Sequence, residues 1–460
     1  MQVEGWLHRA ARTHPETAAF EGPDGASSAC SYAQLHAAAC RGARALAARG
    51  VTRGDRVAIA LPPGLPFAEA LHACLLLGAV AVPVDLRLSE AERAHICDGA
   101  ALIVSETLST ASDADAKSEF ALDERHDLDA PAAVIHTSGT TSTPRPIELA
   151  YGNFLWSALG SAVALDRDPR ERWLCALPVS HVGGLSILLR SAIYATTAVI
   201  HERFETDRVL HALRAQEITL VSLVSTTLAR LLDAGLQQPP ALRHALTGGG
   251  PVPDALIARA RDAGVPVSST YGLTEACSQV TTGGPPLFCT RVRIDAPSEP
   301  AAGSAGANGS DVDGPSAHAR VGEILVSGPT VAAGSRDPDG WLRTGDLGSL
   351  DERGFLSVTG RVADTIVSGG ENVAPAEVEA VLESHPDVLE AAVLGRADPT
   401  WGEAVAAIVV PRPGTNLDGE SLRVHCAEHL ARYKVPKQFD VATAPLPRTR
   451  SGKLLRRDLS

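Results

Sequence analysis

No apolar run in this 460-residue chain approaches the roughly 18 residues needed to span a bilayer. The longest candidate, Ala73 to Val84, is broken by Gly78 and Pro83 and runs straight into Asp85. The first residues, Met1-Gln2-Val3-Glu4-Gly5-Trp6, lack the basic stretch and apolar core of a secretory signal, so a cytoplasmic location is expected. There is no CxxC pair and no Cys/His spacing of a metal site. The eight scattered cysteines read as small buried hydrophobes or free thiols of a reducing compartment. Positive charge is in deficit, 41 Lys and Arg against 54 Asp and Glu for a net charge of −13. That balance argues against a nucleic-acid partner, and no basic run suggests an anionic membrane. Also missing is the G-x-x-x-x-G-K-[ST] loop of Walker-type nucleotide binders. What remains is 45% hydrophobic and 21% charged, a globular chain long enough for two or three cores.

Residues 1–130 alternate helical and strand-like patterns. Ala37 to Ala48 and Pro66 to Leu77 read as helices; Val57 to Leu61 and Ala79 to Val84 read as buried strands. The alternation resumes at Trp173 to Leu177, a strand that stops at Pro178. His181-Val182-Gly183-Gly184-Leu185 then opens an apolar helix through Arg190 to Tyr194. Ala198–Ile200, Leu220–Val224 and His244–Thr247 follow as strands, with helices at Thr206–Gln216 and Pro253–Ala263. Such alternation predicts an α/β fold: a large N-terminal domain of mixed and parallel sheets with flanking helices. Residues 296–319, rich in Ala, Gly, Ser and Pro, read as a mobile surface loop. Gly360-Arg361-Val362-Ala363-Asp364 marks the expected boundary between domains 1–360 and 361–460. The tail reads as a small α/β domain with a helix starting at Pro375, strands at Ala391–Leu394 and Val405–Val410, and a helix at Ser421–Leu430. Its end, Pro447 to Lys453, reads as a flexible cationic arm.

The stretch around which the chain is organised runs from Ile135 through His136-Thr137-Ser138-Gly139-Thr140-Thr141-Ser142-Thr143 to Pro144-Arg145-Pro146. An apolar strand feeds into hydroxyls grouped around one glycine, with a cation between two prolines. Hydroxyls and the amides of a tight turn can ring an anion, and Arg145 can add a charge-assisted bond. In an α/β sheet this loop would fall beyond the strand C-termini, where active sites sit. Taken alone, a Ser/Thr/Pro cluster is equally an ordinary surface linker.

Further stretches recur in a set order after it: Tyr271-Gly272-Leu273-Thr274-Glu275, Trp341-Leu342-Arg343-Thr344-Gly345-Asp346, Gly360–Asp364, Gly369-Gly370-Glu371-Asn372 and Lys453. With Thr137–Pro146, the whole series resembles the acyl-adenylate-forming superfamily of acyl-CoA synthetases, luciferases and adenylation domains, over nearly the full chain. Within it, His181–Arg190, Tyr271–Gln279 and Ser368–Glu379 are most similar to the 2-succinylbenzoate–CoA ligases of menaquinone synthesis.

The resemblance implies a two-step reaction with ATP, Mg²⁺ and CoA: a carboxylate is converted to an acyl-AMP, then to a thioester. It also implies roles. Thr137, Ser138, Gly139, Thr140 and Thr141 would hold the β- and γ-phosphates, with Arg145 neutralising them. Thr274 would bond the α-phosphate, and Glu275 would offer Mg²⁺ a hard oxygen. Gly249, Gly250, Tyr271 and Gly272 would frame adenine. Asp346, supported by Arg361, would accept the ribose hydroxyls. Lys453 would bridge carboxylate and α-phosphate during adenylation. His181 would border the acyl pocket. Arg190, a cation inside an apolar helix, would meet a second substrate carboxylate or else form a structural ion pair. Gly369 and Gly370 would line the CoA tunnel after the small, mobile C-terminal domain rotates, with Trp401 nearby.

Two departures from the family pattern stand out. Pro144-Arg145-Pro146 replaces Pro-Lys-Gly, keeping charge but not the reach of lysine, and Pro146 removes a backbone donor. Ala363 occupies the place where many relatives carry a charged hinge residue. Three alternatives stay open: a ligase for another aryl or medium-chain acid, a degenerate nucleotide-binding homologue, and an adenylation module serving a carrier protein. The sequence leaves the oligomeric state, including a homodimer, undecided.

Overall fold

The computed structural model describes residues 1–108, 122–137, 144–296, 320–368, 371–399, 401–415, 417–448 and 454–459. The chain divides into two compact units, Met1–Arg291 with Ser327–Leu342, and Val292–Val326 with Arg343–Ser460.

The first unit is built on two large sheets. One has eight strands, ordered Ser278–Thr282, Val267–Leu273, His244–Gly248, Leu220–Leu223, Arg172–Cys175, Thr197–Ile200, Ala18–Gly22 and Gly25–Ser31. Its inner strands run parallel and only the two edge strands are antiparallel. The other has five strands, ordered Leu102–Val104, Arg56–Ile59, Val80–Pro83, Pro131–Thr137 and Arg145–Ala150, of which the last alone is antiparallel. Strands covered on both faces read as near-continuous apolar runs; Val80–Pro83 and Thr197–Ile200 are buried at every position, with the Thr197 hydroxyl satisfied by the Ala18 carbonyl. One core joins residues of both sheets, among them Ile59, Leu71, Ile135, Trp173 and Leu185. Helix starts are set by side chains. Ser31 Oγ accepts the Gln34 N–H while Gln34 Oε1 accepts the Ser31 N–H at 2.8 Å, opening the helix Tyr32–Ala48.

The second unit holds a four-stranded sheet, Arg291–Asp295, Gly322–Ser327, Leu342–Leu350 and Leu356–Arg361 in that order. Its other sheet is ordered Glu371–Val373, Ile366–Ser368, Gly402–Pro411 and Val388–Asp398, with Gln438–Val441 added to Gly402–Pro411. The helices Pro375–Glu383 and Gly419–His429 bury Val378, Leu382, Leu422 and Cys426 against Val393, Val405, Ala407 and Val409. Pro375 stands at the first helical turn as expected. The tail helix begins two residues earlier than its apolar pattern predicts because Asp418 caps it, accepting the Ser421 N–H at 2.7 Å.

One sequence expectation needs correction. Arg145 and Pro146 are not part of a loop: they open the strand Arg145–Ala150, opposite Thr137 and His136. Pro146 therefore removes its donor from an edge strand, where the loss is tolerated. Residues 449–453 of the expected flexible arm lie outside the described residues; the residues that flank them are packed. Leu446 is buried, Leu454 and Leu459 pack against its cluster, and Arg448 bridges Leu454 antiparallel. All eight cysteines are free thiols, six of them buried. Among the described residues, no helix is long and apolar enough to cross a membrane. Residues 297–319, most of the expected loop, lie outside the described residues.

Candidate active site

In the first unit, the strand Pro131–Thr137 delivers Thr137 to its C-terminal end, where Thr137 Oγ1 lies 3.3 Å from the Arg145 carbonyl. Ser138, Gly139, Thr140 and Thr141 lie outside the described residues. Arg145 is exposed and lines a cleft of about 230 Å³ with Asn153, Ala333 and Ser335. Asn153 holds one wall of that cleft, donating through Nδ2 to the Pro329 and Val331 carbonyls at 2.8 and 3.1 Å.

Gly249 and Gly250 follow the strand His244–Gly248 and are exposed. Tyr271 and Gly272 close the neighbouring strand Val267–Leu273, where the pairing with Ser278–Thr282 shifts register. Gly272 is required there, since a Cβ would sit 1.8 Å from the Ser278 carbonyl oxygen. Thr274 and Glu275 form a 3₁₀ turn, and the chain then passes through two left-handed non-glycine residues, Cys277 (φ 53°) and Ser278 (φ 88°). Two such residues in succession are strained and must be held by their surroundings. The Glu275 carbonyl accepts the Ala332 N–H at 2.8 Å, while its half-buried carboxylate has no hydrogen-bond or ion-pair partner among the described residues. An uncommitted carboxylate beside a hydroxyl is a donor set suited to a hard divalent cation.

His181 caps the helix Val182–Tyr194. Its carbonyl accepts the Leu185 N–H at 3.0 Å, and Gly184 lets the helix start lie against Pro178, whose oxygen would be 2.4 Å from a Cβ. Burial holds the imidazole of His181 below its ordinary pKa, with Asp85 pulling the other way and Arg87 reinforcing burial. The ring is therefore neutral near pH 7.

Arg190 lies in the same helix and is only 3% exposed. It forms no ion pair among the described residues. Its Nη2 instead donates to Ser157 Oγ at 2.9 Å, its guanidinium lies 5.5 Å from the Trp173 ring centroid, and its Nε is buried without a partner. Ser157 Oγ donates in turn to the Cys277 carbonyl at 2.7 Å. A chain of bonds thus runs from Arg190 to the strained turn that presents Thr274 and Glu275. Ser157 and Cys277 escaped the sequence reading, because nothing in an Ala/Ser/Gly-rich helix or an ordinary Cys-Ser pair signals either role.

In the second unit, Asp346 and Arg361 face each other across the strands Leu342–Leu350 and Leu356–Arg361, with Arg361 Nε 2.9 Å from Asp346 Oδ1. Asp346 is 7% exposed, and its N–H donates to Thr344 Oγ1 at 3.1 Å. Ala363 sits in the 3₁₀ turn Val362–Asp364 directly after. Trp401 is exposed, with Lys437 Nζ 3.3 Å above its ring. Gly369, Gly370 and Lys453 lie outside the described residues.

The described residues on either side of Lys453 are held by contacts that the sequence reading also missed. Arg456 places Nη2 at 2.6 and 2.7 Å from the Glu379 carboxylate oxygens and Nη1 at 3.3 Å from Asp364 Oδ2. On the other side, Arg448 Nη2 is 3.0 Å from Glu390 Oε2. Burial raises the pKa of Glu379, and Arg456 opposes that shift.

Residues 7–335 match the AMP-binding enzyme family and residues 377–453 its C-terminal domain. Similar curated proteins include the 2-succinylbenzoate–CoA ligases of Bacillus subtilis and Geobacillus kaustophilus. Each is 38% identical, over 99% of this chain and 97% of the relative. Among solved structures, the o-succinylbenzoate CoA synthetase of Bacillus subtilis in complex with the acyl-adenylate intermediate OSB-AMP superposes with a TM-score of 0.85. It is 36% identical, over 100% of this chain and 98% of that one. The same enzyme with ATP and magnesium gives a TM-score of 0.86 at 36% identity and full coverage of both chains.

Proposed function

The chain belongs to the AMP-binding enzyme family, and on that premise we propose that it is an AMP-forming acid–thiol ligase that joins 2-succinylbenzoate to CoA in menaquinone biosynthesis. The observation that carries this reading is its likeness, end to end, to 2-succinylbenzoate–CoA ligases and to a structure holding the acyl-adenylate.

In the first step a carboxylate oxygen attacks the α-phosphorus of ATP; a new P–O bond forms and pyrophosphate leaves. In the second, the thiolate of CoA attacks the acyl carbonyl, a C–S bond forms and AMP leaves. Both steps gather charge at a crowded centre, so positioning and cations dominate catalysis. Thr137 to Thr141 with Arg145 would hold the β- and γ-phosphates. Mg²⁺, when bound, would neutralise phosphate charge. Glu275 is the residue to hold it and Thr274 the donor to the α-phosphate. Asp346, oriented by Arg361, would accept the ribose hydroxyls, for which an ionised acceptor is needed. Gly249, Gly250, Tyr271 and Gly272 would frame the base. Lys453 would serve the first step, and Gly369, Gly370 and Trp401 the CoA side of the second, with the tail domain (361–460) rotating between them near Ala363. Neutral His181 would border the acyl group without competing for its charge.

Arg190 admits two roles within this reading. Its unspent Nε can meet the second carboxylate of 2-succinylbenzoate, and its bond to Ser157 can hold the Glu275 turn. The structural ion pair is not among them, since no carboxylate reaches it among the described residues.

The test is pyrophosphate release with ATP and Mg²⁺ for 2-succinylbenzoate, benzoate and medium-chain fatty acids, each with and without CoA. Selective release with 2-succinylbenzoate, carried to thioester only when CoA is present, is the expected result. Turnover of a different acid would keep the chemistry and discard the substrate. Nucleotide binding with no turnover of any acid would favour a degenerate homologue.

A further inference from the structure

The second unit carries a side-chain cluster that adenylation and thioester formation do not use. Along the helix Gly419–His429, His425, Glu428 and His429 fall at i, i+3 and i+4, the spacing that brings side chains onto one face. One ligand-capable atom from each lies within 4.8 Å of the other two. The two imidazole centroids are 4.7 Å apart.

Both rings already have one nitrogen committed. His425 Nε2 lies 3.0 Å from the Val381 carbonyl and 2.9 Å from Ser384 Oγ. A carbonyl only accepts, so Nε2 carries the proton and Nδ1 keeps its lone pair. His429 Nδ1 lies 2.8 Å from the His425 carbonyl, which leaves the lone pair on Nε2. A ring N–H given to a carbonyl is the support that fixes tautomer and orientation in metal-ligating histidines. His385 is different. Its ring stands 5.1 Å from that of His425, but its Nδ1 accepts the Asp387 N–H at 3.2 Å, which places the proton on Nε2 and removes it from the donor set.

We propose that His425, Glu428 and His429 form a surface site for a divalent transition ion of the zinc class. Two imidazoles and a carboxylate supply three ligands of a four-coordinate ion, with water as the fourth. Imidazole donors select against Mg²⁺, which takes oxygen ligands and sheds water reluctantly. The site is thus chemically separate from the one assigned to Glu275. Because His425 is bonded to Val381 and Ser384, an ion here fastens the helix Gly419–His429 to the end of the helix Pro375–Glu383.

The full-length protein is titrated with Zn²⁺ by calorimetry in excess Mg²⁺, and with Co²⁺ followed by visible absorption. One saturable Zn²⁺ equivalent at these residues is expected, with Co²⁺ bands of a nitrogen-ligated ion. His429→Ala, at an exposed position, should weaken Zn²⁺ binding at least about tenfold, since even an outer-shell change has that effect, and should abolish the Co²⁺ bands. Zn²⁺ should also raise the Tm of the wild type and not of this variant. Glu275→Gln should leave Zn²⁺ affinity unchanged. Equal binding by wild type and His429→Ala, loss of binding in Glu275→Gln alone, or no saturable binding at all would each overturn the site.

Discussion

The turn that presents Glu275 and the residues that flank Lys453 are both held by arginine, and they are held in opposite ways. Arg190 is almost fully buried, bonded to a neutral hydroxyl and stacked near an indole. Arg456 keeps 26% of its side chain exposed and is bonded to two carboxylates. Water and salt do not reach the first, and removing it leaves a hole and a strained turn without its brace. The second is partly screened, and its contribution is correspondingly modest. On the proposed mechanism the Glu275 turn serves both half-reactions and never moves, whereas Lys453 serves one and then withdraws. A buried brace fits the first task and a reversible, partly exposed clamp fits the second.

The largest effect that would break this contrast comes from Lys453→Ala. Losing a preorganised donor at developing charge slows a chemical step by about 10² to 10³-fold. Pyrophosphate release from acid and ATP should fall by that amount while thioester formation from supplied acyl-AMP is spared. Equal loss in both half-reactions would make Lys453 a general structural residue and erase the division of labour.

Arg190→Leu comes next. A buried hydrogen bond to a charged group is worth about 1.5 to 3 kcal/mol, so kcat/KM for 2-succinylbenzoate should fall roughly 10- to 100-fold. The pattern of the loss separates the two roles. A rise in KM confined to the dicarboxylate means that Arg190 meets the second carboxylate; equal kcat losses for a monocarboxylic analogue mean that it braces the turn. Ser157→Ala, which cuts the link to Cys277 and removes the acceptor of Arg190 Nη2 but keeps the cation itself, should reproduce only the second pattern.

Arg456→Ala should be milder. Arg456 is 26% exposed and Glu379 13%, so water reaches only part of the pair; a partly screened ion pair is worth about 1 kcal/mol, and adenylation should slow about fivefold. High salt should slow the wild type's adenylation in the same direction and leave thioester formation almost untouched. A salt effect that persists in Arg456→Ala would mean that the clamp is not what salt weakens.

Much of this was legible in the sequence, and the limits are physical. The parallel sheets could be read because strands buried on both faces, such as Val80–Pro83, carry no polar residue to blur the pattern. The order of the motifs placed Glu275, Asp346 and Arg361 before any geometry was known. Arg145 was misread because prolines on either side of it look like a loop, whereas a proline on an edge strand has no ladder bond to lose. The anchoring of the residues that flank Lys453 was not legible, because their composition is that of a solvated tail and their partners, Glu379 and Glu390, lie far upstream in sequence. The Arg190–Ser157–Cys277 chain had no local signal at all, since it exists only once three distant segments are packed.

The smallest effect on catalysis is expected from a second buried cluster in the first unit, and it tests whether that unit depends on neutral groups remaining neutral. His126 accepts the Trp6 N–H at 3.2 Å and stacks on Tyr151 with centroids 4.3 Å apart. Burial lowers its pKa to about 3, and that of nearby His72 to about 4, each pushed further by a neighbouring histidine. Both rings are neutral in the fold and would protonate near pH 6.5 once unfolded. Their contribution to stability is therefore complete above pH 6.5 and is lost as pH falls from there towards the folded values. Between pH 6.5 and 5, denaturant midpoints should drop, with unfolding taking up about two protons from these rings at the lower end. Turnover at pH 7 should stay constant across variants of either position that remain folded. His126→Leu gives up the Trp6 acceptor and so lowers stability at every pH, but it should also remove about half of that proton uptake. An unchanged slope in this variant would move the acid sensitivity to other buried histidines such as His201, whose pKa burial also lowers.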